Sequence, residues 1–316
     1  MKMKPQEPRR AVRPDYPQYQ SQWVSPPGVR VAGHDPVKRQ RRLPGLFLLL
    51  LCAGLFGGGY LAVQHRAAAA SAAQARARLV AETARRQKIT SFSAQVNAIL
   101  QAHPEITFSV AAVDMTTGAR QQIGSQQLFD AASTGKLLTA ATFFHEVEQG
   151  SLSLQQTIDG ETARDLLQQM IVVSDDSAWL ELNDTIGHDE LAAYASSLGI
   201  TDYDSSSNLL AASDVATILQ KLDAGKLMSS SHQTLLLGWL KQANYRDFIV
   251  PAVPASDTVY HKAGEDVDNV HDAAIITNGQ HAIVLVIFSN GNGTYEWANR
   301  APIFQQITTA ALNDYF

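Results

Sequence analysis

Cysteine is almost absent from this sequence: Cys52 is the only one in 316 residues. A disulfide framework and any metal site built on several cysteines are therefore excluded. Basic residues are equally scarce over residues 90–316, which hold nine Lys and Arg against twenty-six Asp and Glu, a net charge of −17. Such an acidic surface makes nucleic acid a poor partner. The formal total of −5 hides this polarity, because residues 1–44 carry +7 and residues 45–89 carry +5. With 45% hydrophobic residues the chain has ample material for a core, so a wholly disordered or collagen-like protein is also excluded.

Aliphatic side chains are few in residues 1–44, while eight of the twelve prolines lie there, from Pro5 to Pro44. Such a segment buries too little apolar surface to offset its ordering entropy and is expected to be a disordered basic tail. Next comes a long apolar stretch without charge, the nineteen residues Gly45 to Val63. That is close to the ~20 apolar residues a helix needs to cross a bilayer. A cleaved leader normally has a shorter apolar stretch. A lipid anchor at Cys52 is disfavoured by Leu51 before it and by its mid-span position. A signal anchor over 45–64 fits best, with the basic tail kept cytoplasmic and the C-terminal domain outside. Residues 65–89, rich in Ala, Arg and Gln without Gly or Pro, read as a helical stalk.

From residue 90 the pattern is that of a folded domain, 90–316. Phe108 to Val113 reads as a strand and Met115 to Ala119 as a turn into a second one. A helix-rich stretch follows from Ser133 to about Trp239. Strands return at Thr258 to Lys262, Asp272 to Thr277 and Ala282 to Phe288, and Trp297 to Tyr315 reads as a closing helix. Strands at both ends of a helical middle predict an α+β or three-layer arrangement in which the terminal pieces share one sheet.

Three short pieces of this domain carry chemistry. Ser133-Thr-Gly-Lys136 opens a helix, where the spacing puts the Lys136 amine over Ser133 on one face. A neutral amine there can take the serine proton. Alone, the same residues also read as a helix cap beside a surface lysine. Val173-Ser174-Asp175-Asp176 follows between two helices and offers a second hydroxyl as a proton relay, or else an ordinary cap. His261-Lys262-Ala263-Gly264 ends a β-rich stretch. Lys262 would add positive charge that depresses the Lys136 pKa and attracts an anionic substrate, and Gly264 would let a substrate backbone lie against the strand.

In order and spacing these pieces, S-x-x-K, S-D-x and K-x-G, resemble the three motifs of penicillin-recognising serine enzymes, and residues 105–316 are similar to the class A β-lactamase-like serine hydrolases. The similarity includes Glu148 to Leu154, Leu166 to Ser177 and Val270-His271-Asp272. It implies a three-layer α/β/α fold with an antiparallel sheet and a helical subdomain. It also implies an acyl-enzyme scheme with Ser133 as nucleophile, Lys136 as base, Ser174 as proton shuttle and Lys262 at the substrate carboxylate. The oxyanion hole would be the N–H groups of Ser133 and Glu265. Nothing in the scheme calls for a metal or cofactor, and His103, His145, His188, His232, His261 and His281 show no metal-ligand spacing.

The sequence departs from that pattern in the substrate-binding set Asp176, Ala263, Gly264, Glu265 and His271, where only Gly264 follows it. Asp176 stands where the family usually has Asn, and would pair with Lys136 and weaken it as a base. Ala263 replaces a Thr or Ser hydroxyl. Glu265, with Asp266, adds negative charge where an anionic substrate docks. His271 aligns with a position that is often Arg and would supply part of the missing cation. The loop Thr201 to Asn208 holds no glutamate to activate water for deacylation, and Asp202 and Asp204 read as surface residues. Loss of such a base costs about 10²–10⁴-fold. The expected function is a membrane-anchored serine hydrolase acting on peptidoglycan stem peptides or β-lactam-like acyl compounds. A true β-lactamase and a catalytically impaired module that binds wall fragments or a protein are the alternatives.

Overall fold

Near-continuous apolar runs in the C-terminal strands build a sheet that is buried on both faces. The computed structural model describes residues 45–293 and 297–316, and the side chains of these except 45–62, 85–86, 88–89 and 297–298. The expected tail at 1–44 lies outside the described residues. The backbone is helical from Gly45 to Gln101 (α1). The apolar run within it falls almost wholly on undescribed side chains, and among the described residues no helix is long and apolar enough to cross a membrane. The described residues up to Ala70 and those from Ser71 onward form two separate units.

After α1 come strands β1 (Thr107–Asp114) and β2 (Arg120–Gly124), then the short β3 (Phe129–Asp130) and a 3₁₀ turn, Ala132–Gly135. Helix α2 (Lys136–Gln149) leads to the small hairpin β4 (Thr157–Ile158) and β5 (Glu161–Thr162). Helices α3 (Ala163–Val172), α4 (Asp176–Ile186) and α5 (His188–Ser197) follow. Next are β6 (Leu209–Leu210), α6 (Ala212–Asp223), α7 (Ser230–Gln242) and a 3₁₀ turn, Val250–Ala252. Strands β7 (Thr258–Asp266), β8 (Asn269–Thr277) and β9 (Ala282–Asn290) and helix α8 (Trp297–Tyr315) complete the chain.

The main sheet runs β2-β1-β9-β8-β7, antiparallel throughout, so the first and last strands of the domain do share one sheet. Period-2 alternation divides each strand between two cores. Val284, Val286 and Phe288 of β9 face the layer of helices that includes α2, α3 and α6. Ile283, Leu285 and Ile287 face Phe92 and Val96 of α1 and Ile303, Phe304 and Ile307 of α8. Each such side chain, fully buried, contributes about 1.5–3 kcal/mol, so the sheet is a rigid base for whatever lies on its edge. That edge is β7. It continues four residues past Lys262 to Asp266, which puts Ala263, Gly264 and Glu265 on a regular strand.

Candidate active site

The turn that carries Ser133 is held from three sides. Asp130 Oδ1 accepts the Ala132 N–H at 2.9 Å, Thr134 Oγ donates to the Ala131 carbonyl at 2.6 Å, and Asn208 Nδ2 donates to the Ala132 carbonyl at 3.0 Å. Ala132 adopts φ +45°, an uncommon conformation for a residue with a β-carbon. A Cβ at Gly135 would lie 2.1 Å from Asn208 Oδ1, so a larger residue there displaces the Asn208 side chain that braces the turn. Ser133 does not cap α2: it sits in the 3₁₀ turn, and Lys136 is the first residue of the helix. The three-residue spacing nevertheless brings the pair together, with Lys136 Nζ 3.0 Å from Ser133 Oγ.

Ser174 enters from the loop between α3 and α4. Asp175 caps α4 by accepting the Ala178 N–H at 2.8 Å. Ser174, just before it, takes φ +64°. Its hydroxyl lies between two lysine amines, 3.3 Å from Lys136 Nζ and 2.8 Å from Lys262 Nζ. Lys136 also donates to the Ser174 carbonyl at 2.7 Å and to Asp176 Oδ1 at 2.5 Å. Lys262 donates in addition to the Ala263 carbonyl at 2.9 Å. Ser133, Lys136, Ser174 and Lys262 thus form one hydrogen-bonded chain assembled from three separate pieces of sequence.

Gly264 lets β7 reach this chain. A Cβ at that position would stand 2.8 Å from the Ser133 nitrogen and 2.9 Å from the Thr134 nitrogen, closer than side chains tolerate. The cavity that results, of about 140 Å³, is lined by Ser133, Ser174, Asp176, Ala263, Gly264 and Glu265, together with Tyr245 and Phe248. The two aromatic residues were not singled out from sequence. Tyr245 sits in a polar loop, Ala243 to Asp247, and an aromatic residue in such a loop was the available signal. Trp179 was missed as well. Its ring lies 5.7 Å from Lys136 Nζ, and its N–H donates to Thr139 Oγ at 2.9 Å, which donates onward to Asn183.

Burial governs the charges. It lowers the Lys136 pKa, and the hydrogen bond and charge of Asp176 work against that shift. Lys262 is pushed down to about 7, first by burial and then by the positive charge of Lys136. The two amines lie on either side of the Ser174 hydroxyl, and their mutual repulsion adds to burial in pushing Lys262 down.

His271 is also corrected. It is completely buried, its Nε2–H donates to the Asp130 carbonyl at 2.8 Å, and its Nδ1 accepts the Ser289 N–H at 3.2 Å. One donor and one acceptor define a neutral ring, and burial pushes its pKa down to about 4. Stacked on Phe288, it braces β3 against the sheet and supplies no cation to the cavity. Asp204 is turned toward Ser206 and Ser207 at 2.7 Å each, and neither it nor Asp202 lines the cavity.

Residues 91–316 match the profile of the beta-lactamase enzyme family. No curated protein sequence matches the chain. Among solved structures, PBP-A superposes with a TM-score of 0.67 at 20% identity, over 72% of this chain and 96% of that one. A mutant of the last common ancestor of Gram-negative bacteria (GNCA) β-lactamase class A superposes at 0.66 and 21%, covering 71% and 98%. A β-lactamase from Sphaerobacter thermophilus superposes at 0.64 and 22%, covering 72% and 97%. These likenesses concern the fold.

Proposed function

The chain belongs to the beta-lactamase enzyme family, and from that premise we propose that it forms an acyl-enzyme on Ser133. The observation that carries the assignment is the 3.0 Å approach of Lys136 Nζ to Ser133 Oγ inside the cavity. Lys136, in its neutral form, takes the serine proton as Oγ attacks the substrate carbonyl. The oxyanion that forms is held by the backbone N–H groups of Ser133 and Glu265. The ammonium of Lys136 then passes a proton through Ser174 to the leaving group, and the acyl group stays on Ser133. The substrates are peptidoglycan stem peptides or β-lactam-like acyl compounds. A single-site mutant of PBP-A has been captured as an acyl-enzyme complex with penicillin G, which supports penicillin as the first probe.

The location proposed is outside the cytoplasm, on a single helical anchor over residues 45–64 with the basic tail inside. Its support is the uncharged run Gly45 to Val63 and the +7 charge before it. A second reading, a domain that binds acyl compounds and acylates slowly, is favoured by the 2.5 Å contact of Lys136 with Asp176.

Labelled penicillin decides between them, with Ser133→Ala as control and both adduct mass and hydrolysed drug followed. A long-lived adduct on Ser133 supports the acyl-enzyme reading, and rapid release of hydrolysed drug makes the protein a β-lactamase. Absence of any adduct after long exposure refutes acylation by this class of compound.

A further inference from the structure

His261 and Asp272 take no part in the chemistry above, yet both side chains are completely buried. They stand on adjacent strands, where Ala263 of β7 pairs with Asp272 of β8 and His261 pairs with Ala274. Alternation along a strand sends His261 and Lys262 to opposite faces of the sheet. His261 shares its face with Val259 and Ala263, whose core also contains Phe248 and Ile249. The imidazole and carboxylate thus lie behind the surface that carries the lysine.

What they hold is the segment 243–249, which joins α7 to the following 3₁₀ turn. His261 Nδ1 lies 3.1 Å from Asp272 Oδ1, and His261 Nε2 lies 3.3 Å from the Ala243 carbonyl oxygen. The other carboxylate oxygen of Asp272 accepts the Ile249 N–H at 3.1 Å. The couple therefore grips the segment at both ends. Between the grips, the Asn244 N–H donates at 2.9 Å to the carbonyl of Val172, two residues before Ser174. Tyr245 follows with φ +61°, a left-handed conformation that a tyrosine keeps only where its surroundings enforce it. Tyr245 and Phe248 are the aromatic part of the cavity that also contains Ser133 and Ser174.

We propose that the buried His261–Asp272 couple is a positioning device for the active site, fixing segment 243–249 and through it the Tyr245–Phe248 wall against which the acyl donor is held. The proposal rests on Ser133 as the nucleophile. Its links run to backbone groups of a segment without regular secondary structure, so severing them leaves a donor and an acceptor without their partners. A wall displaced by about 1 Å costs on the order of a hundredfold in a reaction that depends on an oriented substrate. The serine and its base, on separate elements, stay in place.

The test uses the full chain with two probes: a chromogenic cephalosporin broad enough to touch the wall, and a small phosphonofluoridate that needs only Ser133 and its base. His261→Phe removes the contacts to Asp272 and the Ala243 carbonyl while the Asp272–Ile249 bond remains, His261→Gln keeps a donor, and Asp272→Asn weakens the couple from the other side. His261→Phe is expected to raise the apparent cephalosporin dissociation constant roughly tenfold to a hundredfold, the equivalent of one or two buried hydrogen bonds, while phosphonylation stays within about twofold of wild type. Amides 244–249 are expected to exchange hydrogen about tenfold faster or more, with β8 and β9 unchanged. His261→Gln restores most of both.

Equal loss with the two probes, unchanged cephalosporin binding, or unchanged exchange at 244–249 overturns the proposal while Ser133 stands. Wild-type protein that reacts with neither probe overturns the Ser133 reading, and the proposal with it. Should His261→Phe fail to fold, Asp272→Asn decides by the same two readouts.

Discussion

Lys136 Nζ lies closer to Asp176 Oδ1, at 2.5 Å, than to the Ser133 hydroxyl it is placed to deprotonate, at 3.0 Å. Burial favours the neutral amine, whereas the carboxylate favours the ammonium. The two effects oppose each other at the one atom that matters for acylation. Asp176→Asn removes the charge but keeps an oxygen acceptor, so the Lys136 pKa falls and more of the amine is neutral at pH 7. Acylation by a penicillin is expected to rise roughly threefold to thirtyfold, a range discounted for the exposure of the carboxylate. The rising limb of the pH–rate profile moves to lower pH. A variant slower than wild type at every pH assigns Asp176 a role in binding instead.

Lys262 makes stability depend on pH. Its folded-state value of about 7 lies below the ordinary lysine value of 10.5, so between these the unfolded chain binds a proton that the native chain does not. Stability from this residue therefore increases as pH rises through that window, by at most about 1.4 kcal/mol per pH unit. Lys262→Met is expected to flatten that slope, measured as urea midpoints at pH 7.5 and 9. Equal slopes in the two proteins would falsify the assignment of the shift to Lys262.

Gly264→Ala tests the approach of β7 to the serine turn. The added methyl would meet the Ser133 and Thr134 nitrogens at 2.8 and 2.9 Å, both backbone atoms of a braced turn, so strand and turn must part by several tenths of an ångström. Acylation should fall about a hundredfold, with the thermal midpoint little changed because β7 is an edge strand. Normal acylation by the variant would show that the turn moves freely, contrary to its three anchors.

Much of this was legible in the sequence, for identifiable reasons. Ile283 to Phe288 announces a doubly buried strand by composition alone, and Trp297 to Tyr315 occupies the helix expected of it. The pairing of Ser133 with Lys136 follows from their spacing. Other features depend on long-range contacts that local pattern does not encode. The strand beyond Lys262 is hidden by a glycine and two acids, and only its pairing to Asn269–Asp272 reveals it. His271 looked like a cation because its alignment was visible and its burial was not. Tyr245 and Phe248 reach the cavity through a loop held by His261 and Asp272, residues distant in sequence from both.

Glu265 is an exposed carboxylate on the cavity wall beside Asp176, and Asp266 and Asp130 lie close enough for Asp130 to push the Asp266 pKa up after burial does so. An anionic acyl donor approaches Lys262 through this field. Glu265→Gln is expected to speed acylation by an anionic β-lactam about twofold to fivefold at low salt, and to leave its uncharged methyl ester unaffected. The gain should shrink as ionic strength rises. A matching gain for the ester would point to a steric effect.

The loop Thr201 to Asn208 contributes no side chain to the cavity lining. Asp204 is committed to Ser206 and Ser207, whose hydrogen bonds hold its pKa below the usual carboxylate range, and Asn208 is committed to the serine turn. A water attacking the acyl group therefore meets no loop carboxylate positioned as a base, and deacylation should lack the ~10²–10⁴-fold such a group supplies. Intact-mass measurement should show a penicillin adduct on Ser133 that persists for hours, with the same lifetime in Asp202→Asn and Asp204→Asn. A longer lifetime in either variant would identify that aspartate as the deacylating base and require the loop to close over the cavity during turnover.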